Sequence, residues 1–259
     1  MIITSKIAIV TGAAQGIGQA IALLLAEQVN VLILFDIDID GLEHTQTQIH
    51  AQRSETMLHL EIHKIDVTQE SEITTIFDKI RAKHGRVDIL INAVGGSSSA
   101  GKAGATIEEL DLSQWQALLS LNLTSTFLCC RAVIPLMKVH GYGRIVNFSS
   151  IARHGRRDKV STAYAASKAG IDGFTYKLSR EVAPFGITCN AIASGITLTD
   201  RIAEQFWQVR SAAEQQAVLA SIPLGRLSTP LEQAQIAVFL ASDAASYLTG
   251  QIIEVGGGI

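Results

Sequence analysis

A chain of 259 residues, 47% of them apolar, can bury one substantial core and reads as a single α/β domain spanning residues 1–259. The formal charge is only -3 and acidic and basic residues are interspersed, which excludes an electrostatic footprint for nucleic acid or an anionic membrane and leaves a small molecule as the expected partner. The N-terminus lacks the basic start and small-residue cleavage site of a signal peptide, and the apolar runs, including residues 20–26, are shorter than a membrane span, so a cytoplasmic location with no membrane partner is expected.

Short β-branched or apolar runs at 7–10, 31–35, 58–65, 89–91, 144–148, 188–192 and 252–255 read as strands, and six intervening segments read as helices. Near-continuous apolar strands alternating with helices predict a Rossmann-type doubly wound α/β fold: a mostly parallel sheet of about seven strands, flanked by helices, with ligand at the strands' carboxyl ends. The first strand runs into Thr11-Gly12-Ala13-Ala14-Gln15-Gly16-Ile17-Gly18 and then a helix. Glycines there permit a tight turn and close approach of a pyrophosphate to helix N-terminal amides, making Gly12, Gln15, Gly16, Ile17 and Gly18 candidate cofactor residues. The second strand ends in Asp36, where a carboxylate accepts hydrogen bonds from an adenosine ribose and repels a 2′-phosphate. With Gln15 rather than a basic residue before Gly16, and no Arg or Lys after Asp36, NAD is expected over NADP.

Further along, residues 95–101 read as a mobile glycine-serine loop. Cys129, Cys130 and Cys189 are odd in number and lack C-x-x-C spacing, so they read as reduced packing residues, with no metal site. Tyr164 and Lys168 stand four residues apart on a predicted helix, on one face, where an ammonium lowers a phenol's pKa and helps it exchange a proton near neutral pH. Residues 198–223 interrupt the strand-helix alternation and carry Phe206 and Trp207. They read as a substrate lid, with an ordinary pair of helices as the alternative. The loop after Ser150 holds Arg153, His154, Arg156, Arg157 and Lys159; Arg156 and Arg157 are candidate anchors for an anionic substrate group, against the plainer reading of a solvated loop.

The glycine turn together with Ser150, Tyr164 and Lys168 resembles the short-chain dehydrogenases/reductases, and the resemblance covers essentially the whole chain. It implies a catalytic tetrad of Asn122, Ser150, Tyr164 and Lys168. In it Tyr164 exchanges a proton with the carbinol or carbonyl oxygen, Ser150 orients that oxygen, Lys168 binds the nicotinamide ribose, and Asn122 holds a helix irregularity and a water. It also implies that Asp66 and Val67 contact adenine, that Asn92 opens the segment after the fourth strand, and that the Thr197 backbone lies near the nicotinamide carboxamide. The pattern departs at Ala93 and Val94, where the family carries Asn-Ala, at Ser194, where it carries Pro, and in one extra residue between Ser150 and Tyr164.

The expected activity is hydride transfer between NAD and a secondary alcohol or its ketone, such as a sugar, polyol, hydroxy acid or cyclic diol. A 3-oxoacyl-carrier-protein reductase-like NADPH enzyme is the alternative, and a non-catalytic dinucleotide-binding scaffold a third reading. The resemblance further implies a homotetramer, built on the helices after Ser113 and after Ala163 and on residues 247–251. Leu118, Leu121, Phe127 and Ile134 fit helical packing, in the core or at such an interface.

Overall fold

In the computed structural model of the protein, which describes residues 6–52, 58–97, 104–155 and 160–259, the period-two alternation of the strands divides the core into two layers. Ala8 and Val10 of β1 (Ile7–Thr11), Leu32 and Leu34 of β2 (Val31–Asp36), and Ile89 and Ile91 of β4 (Ile89–Asn92) point to one face. Ile9, Ile33, Phe35 and Leu90 point to the other. With β3 (His59–Lys64), β5 (Gly143–Ser150), β6 (Ile187–Ser194) and β7 (Ile252–Val255), these form one seven-stranded sheet of order 3-2-1-4-5-6-7. Every neighbouring pair is parallel.

Helices α1 (Gly16–Ala26), α2 (Ile39–Gln52) and α9 (Pro230–Leu240) cover the first face, through Ile21, Leu25, Leu42, Ile49, Ala237 and Leu240. On the second face lie α3 (Glu70–His84), α5 (Ser125–His140) and α6 (Thr162–Val182), through Phe77, Ile80, Val133, Met137, Leu178 and Val182. The chain is thus the Rossmann-type α/β fold that the alternation predicts. The order reverses between β1 and β4, so the connections leaving their carboxyl ends run to opposite faces and open a crevice there.

One element differs from the reading of the sequence. The apolar runs taken singly fall short of a membrane span, yet α4 (Leu112–Leu119), a π turn at Ser120–Thr124 and α5 join into one helix, Leu112–His140, which by length and composition alone could cross a membrane. Its apolar content arises from packing: Leu128, Val133, Leu136 and Met137 are buried against the sheet and α3. The segment 198–223 holds α7 (Asp200–Ile202), a second π turn at Ala203–Trp207 and α8 (Ala212–Ala220).

The free edge at β3 is secured by charge. Glu61 Oε1 meets His84 Nε2 at 2.7 Å, His59 Nε2 at 3.0 Å and Lys83 Nζ at 3.1 Å, while Oε2 meets His63 Nε2 at 3.3 Å. Burial pushes the Glu61 carboxyl up, but hydrogen bonds from His84, Lys83 and His63 outweigh it and hold it down to about 2. A carboxyl held below its ordinary value of 4.5 contributes stability that is complete above that value and is lost as pH falls toward about 2. Denaturant unfolding of Glu61→Gln is therefore expected to show a loss of about 1 kcal/mol at neutral pH. The loss should shrink as the pH is lowered through that window; a constant difference would mean the contacts contribute nothing through charge.

Candidate active site

A cleft of about 560 Å³ runs along the carboxyl ends of β1 to β4, with the glycine turn on one wall and Asp36, Asp66 and Val67 at its far end. Gly12 has φ +71°, and a Cβ there would come within 3.0 Å of the Val94 amide nitrogen; one on Gly18 would collide with the Gly12 carbonyl. The turn is thus closed to side chains at Gly12 and Gly18, and α1 starts within it at Gly16. Gln15 precedes α1 without a side-chain cap, so the first-turn amides are left for an anionic ligand. A cradle of bare backbone at a helix start, continuous with a long cleft, fits the pyrophosphate and adenosine of a dinucleotide. Ile17 also lines the cleft, and Thr199 packs over Gly16.

Asp36 ties this end together. Its Oδ2 accepts from Ala14 N at 3.0 Å and its Oδ1 from Asp38 N at 3.1 Å. Asp38 and Asp66 line the same end. Burial raises the Asp66 carboxyl, but hydrogen bonds from the Thr68 hydroxyl and amide prevail and keep it below the usual range.

At the other end β5, β6 and α6 surround a second cavity of about 260 Å³, lined by Ser150, Tyr164, Lys168, Thr197 and Phe206 among others. The Ser161 hydroxyl caps α6 by accepting from Tyr164 N, which fixes where the helix begins. One turn on, Lys168 is 3% exposed, with Nζ 5.8 Å from the centroid of the Tyr164 ring and 2.6 Å from the Phe148 carbonyl oxygen that it donates to. Burial pulls its ammonium down to about 7, Asp172 a turn further along pushes back up, and Arg201 adds a smaller lowering. Asp172 is in turn held by Arg153 Nε at 2.7 Å.

The expected irregularity at Asn122 is the π turn itself. Widening the helix there frees the Leu118 carbonyl, which accepts from Asn122 Nδ2 at 2.9 Å. The same amide donates to Gly96 O at 3.1 Å, and Oδ1 accepts from Gly96 N at 3.1 Å, so the fully buried Asn122 clamps the chain after β4. A Cβ on Gly95 would lie 2.7 Å from Asn122 Oδ1 and 3.0 Å from Lys168 Nζ. Ser150 ends β5, donating to Ser194 O at 3.4 Å and accepting from Ala152 N at 3.2 Å. Ser149 instead donates to the Lys168 carbonyl at 3.1 Å, so the hydroxyl at 150 is the better placed of the two. Thr197 is pinned just after β6 by a 2.9 Å hydroxyl contact with Ser228.

Other expected site residues are placed differently. The Asn92 side chain turns into the core, donating to Asn147 Oδ1 at 2.9 Å and to Cys130 Sγ, because its strand position alternates away from the cleft. Its neighbours Ala93 to Gly95 line the cleft in its place. Trp207 is not among the residues lining the cavity, while the adjacent Phe206 is, stacked beneath the Arg210 guanidinium. Arg156 and Arg157, and residues 98–101 of the glycine-serine loop, lie outside the described residues. Arg153 and His154 are engaged by Asp172 and Glu254. The cysteines are buried, with Cys129 and Cys189 thiols pushed up to about 12 by burial, which keeps them un-ionised. Missed from sequence were Asp172, which continues the i,i+4 spacing of Tyr164 and Lys168, and Arg201, which borders both cavities.

Residues 12–259 match the family model described as enoyl-(acyl carrier protein) reductase. A cyclohexanol dehydrogenase from Rhodococcus is 37% identical over 98% of this chain and 96% of its own length. The 3-oxoacyl-acyl-carrier-protein reductase of Escherichia coli is 36% identical, covering 98% and 97%, and a 2-dehydro-3-deoxy-L-rhamnonate dehydrogenase (NAD) of Sphingomonas is 34% identical, covering 98% and 94%. Among solved structures, a putative gluconate dehydrogenase from Agrobacterium tumefaciens superposes with a TM-score of 0.89 at 32% identity, covering 99% and 96%. This chain therefore belongs to the short-chain dehydrogenases/reductases, oxidoreductases that act on CH-OH groups with a nicotinamide dinucleotide.

Proposed function

We propose that this protein is an NAD-dependent dehydrogenase of a secondary alcohol, with Tyr164 as the acid/base. The observation that carries the reading is the Tyr164–Lys168 pair: a phenol at the cavity wall with a fully buried ammonium one helical turn away. A bound nicotinamide ring supplies the hydride acceptor or donor. The protein's own residues do the rest. Tyr164 takes the hydroxyl proton, Ser150 hydrogen-bonds the same oxygen and fixes its direction, and the Lys168 ammonium favours the phenolate. Lys168 would also meet the ribose hydroxyls, and Asn122, bonded to both backbone groups of Gly96, fixes the neighbouring Gly95 beside the ammonium. Thr197 positions the carboxamide with its backbone, and residues 198–223 serve as the substrate lid.

The preference for NAD rests on the adenosine end of the cleft, where Asp36, Asp38 and Asp66 gather; Arg201, the one basic residue among the described lining residues, reaches instead to Gly95 and Gly96. A 2′-phosphate would face three carboxylates there. The 36% identity to a 3-oxoacyl-acyl-carrier-protein reductase favours a second reading, reduction of a 3-oxoacyl thioester with NADPH. Parallel assays with 3-oxoacyl thioesters and both reduced dinucleotides separate the two. We also infer a cytoplasmic homotetramer: Phe127 on α5 and Tyr176 on α6 are exposed large side chains on the helices expected to pair, and Tyr247 is fully exposed near β7. Light scattering that returns a monomer would refute the assembly.

Tyr164→Phe is expected to lower turnover of secondary alcohols by about 10²-fold or more while NADH affinity, read by fluorescence, stays within about threefold. Retained turnover would remove the phenol from the mechanism. Asp36→Ala is expected to raise NADP use relative to NAD by about tenfold. Asp172→Asn removes the charge that holds Lys168 up, so the Lys168 ionisation, placed at about 7 by burial, is expected to move lower, as followed by the pH dependence of NADH binding. An unmoved midpoint would show that Asp172 has no electrostatic hold on the lysine.

A further inference from the structure

Arg201 is the second residue of the short turn α7, yet its guanidinium reaches back over the chain after β4. Nη2 lies 3.4 Å from the Gly95 carbonyl, and a Cβ on Gly96 would come within 2.9 Å of Nη1. Gly96 has no need of a left-handed backbone, so its missing side chain serves as space for the guanidinium. That long hydrogen bond is weak, and no carboxylate pairs with Arg201 among the described residues. The planar fork is left with its donors for a ligand.

The substrate cavity is one-signed. Lys168 and Arg201 both line it, and no Asp or Glu does among the described residues. The two cations feel one another, since Arg201 disfavours the charged form of Lys168, while Asp172, which favours it more strongly, stands on α6 outside the cavity lining and pairs with Arg153 rather than with the Arg201 fork. An oxidised nicotinamide ring would add a third positive charge beside them. An anion in the cavity relieves this repulsion, and a carboxylate matches the guanidinium fork in a bidentate geometry. The basic loop singled out in the sequence supplies no competitor at Arg153 or His154, both engaged by acids on the β7 side and on α6.

We propose that Arg201 anchors the carboxylate of a hydroxy or oxo acid, so that the substrate class of this dehydrogenase is a small acid whose alcohol carbon faces Tyr164 and Ser150. The inference rests on the alcohol-dehydrogenase reading above and narrows it. A dinucleotide phosphate is the other anion within reach, because Arg201 also borders the long cleft. Its contacts with Gly95 and Gly96 set it beside the glycine that also borders the Lys168 ammonium, and the NADH affinity of Arg201→Gln separates the two anions.

The test is ligand binding to the NADH-loaded protein, followed by NADH fluorescence, with cyclohexanecarboxylate and cyclohexanecarboxamide as a matched pair. The kcat/KM ratio for 4-hydroxycyclohexanecarboxylate and its methyl ester is measured alongside. The native protein is expected to prefer the carboxylate by about tenfold or more, Arg201→Gln to erase that preference, and Arg201→Lys to restore part of it. A native protein with no preference for the carboxylate, or a preference that survives Arg201→Gln, overturns the proposal. So does a fall of about tenfold in NADH affinity in Arg201→Gln with the ligand preference intact, which would make Arg201 a cofactor-phosphate contact. Failure to oxidise any alcohol, charged or neutral, would instead sink the dehydrogenase reading, and the binding arm would still decide whether Arg201 selects carboxylates.

Discussion

A lysine held almost fully out of water beside a tyrosine is the constraint around which this structure is arranged. Burial, the largest influence on it, leaves the Lys168 ammonium down at about 7 even with Asp172 pushing back up, so the fold has to supply what solvent no longer does. It supplies a short hydrogen bond to the Phe148 carbonyl and the negative charge of Asp172 one turn along α6. The return is electrostatic. A charge 5.8 Å from the Tyr164 ring is worth ~3 kcal/mol to a phenolate at an effective dielectric of about 20. Ammonium and phenolate favour one another.

The surrounding elements serve that pair. The π turn in the long α4–α5 helix lets Asn122 grip the Leu118 carbonyl and both backbone groups of Gly96. This grip fixes Gly95, whose missing side chain leaves the ammonium its room. Along the cleft the charges are segregated, with carboxylates of Asp36, Asp38 and Asp66 at one end and Lys168 and Arg201 at the other. Such a division orients an extended, unevenly charged ligand before any close contact forms.

The fold was legible because the central strands β1, β2, β4, β5 and β6 are buried on both faces and so carry apolar runs, while the edge strand β3 is marked only by Leu60 and Ile62 alternating with polar residues. The glycine turn and the Tyr164–Lys168 spacing were legible because both are local, written within eight residues or fewer. Long-range geometry was not. Nothing in the run around Asn92 shows that its side chain alternates into the core, and nothing around Phe206 and Trp207 tells which of the neighbours faces the cavity. Arg201 comes close to Gly95 and Gly96 only through the path of the chain after β6. Asp172 is the instructive omission, since the helical spacing that picked out Lys168 extends to it by one more turn.

The interaction at the centre of this arrangement is tested most directly by following NADH formation at 340 nm against pH for the native protein and for Lys168→Met, with NAD and a secondary alcohol both saturating. If the ammonium is what makes the phenolate accessible, the acid limb of the variant's profile moves to higher pH and its maximal rate is approached only under alkaline conditions. An acid limb that stays where the native protein has it would contradict the electrostatic coupling of Lys168 to Tyr164.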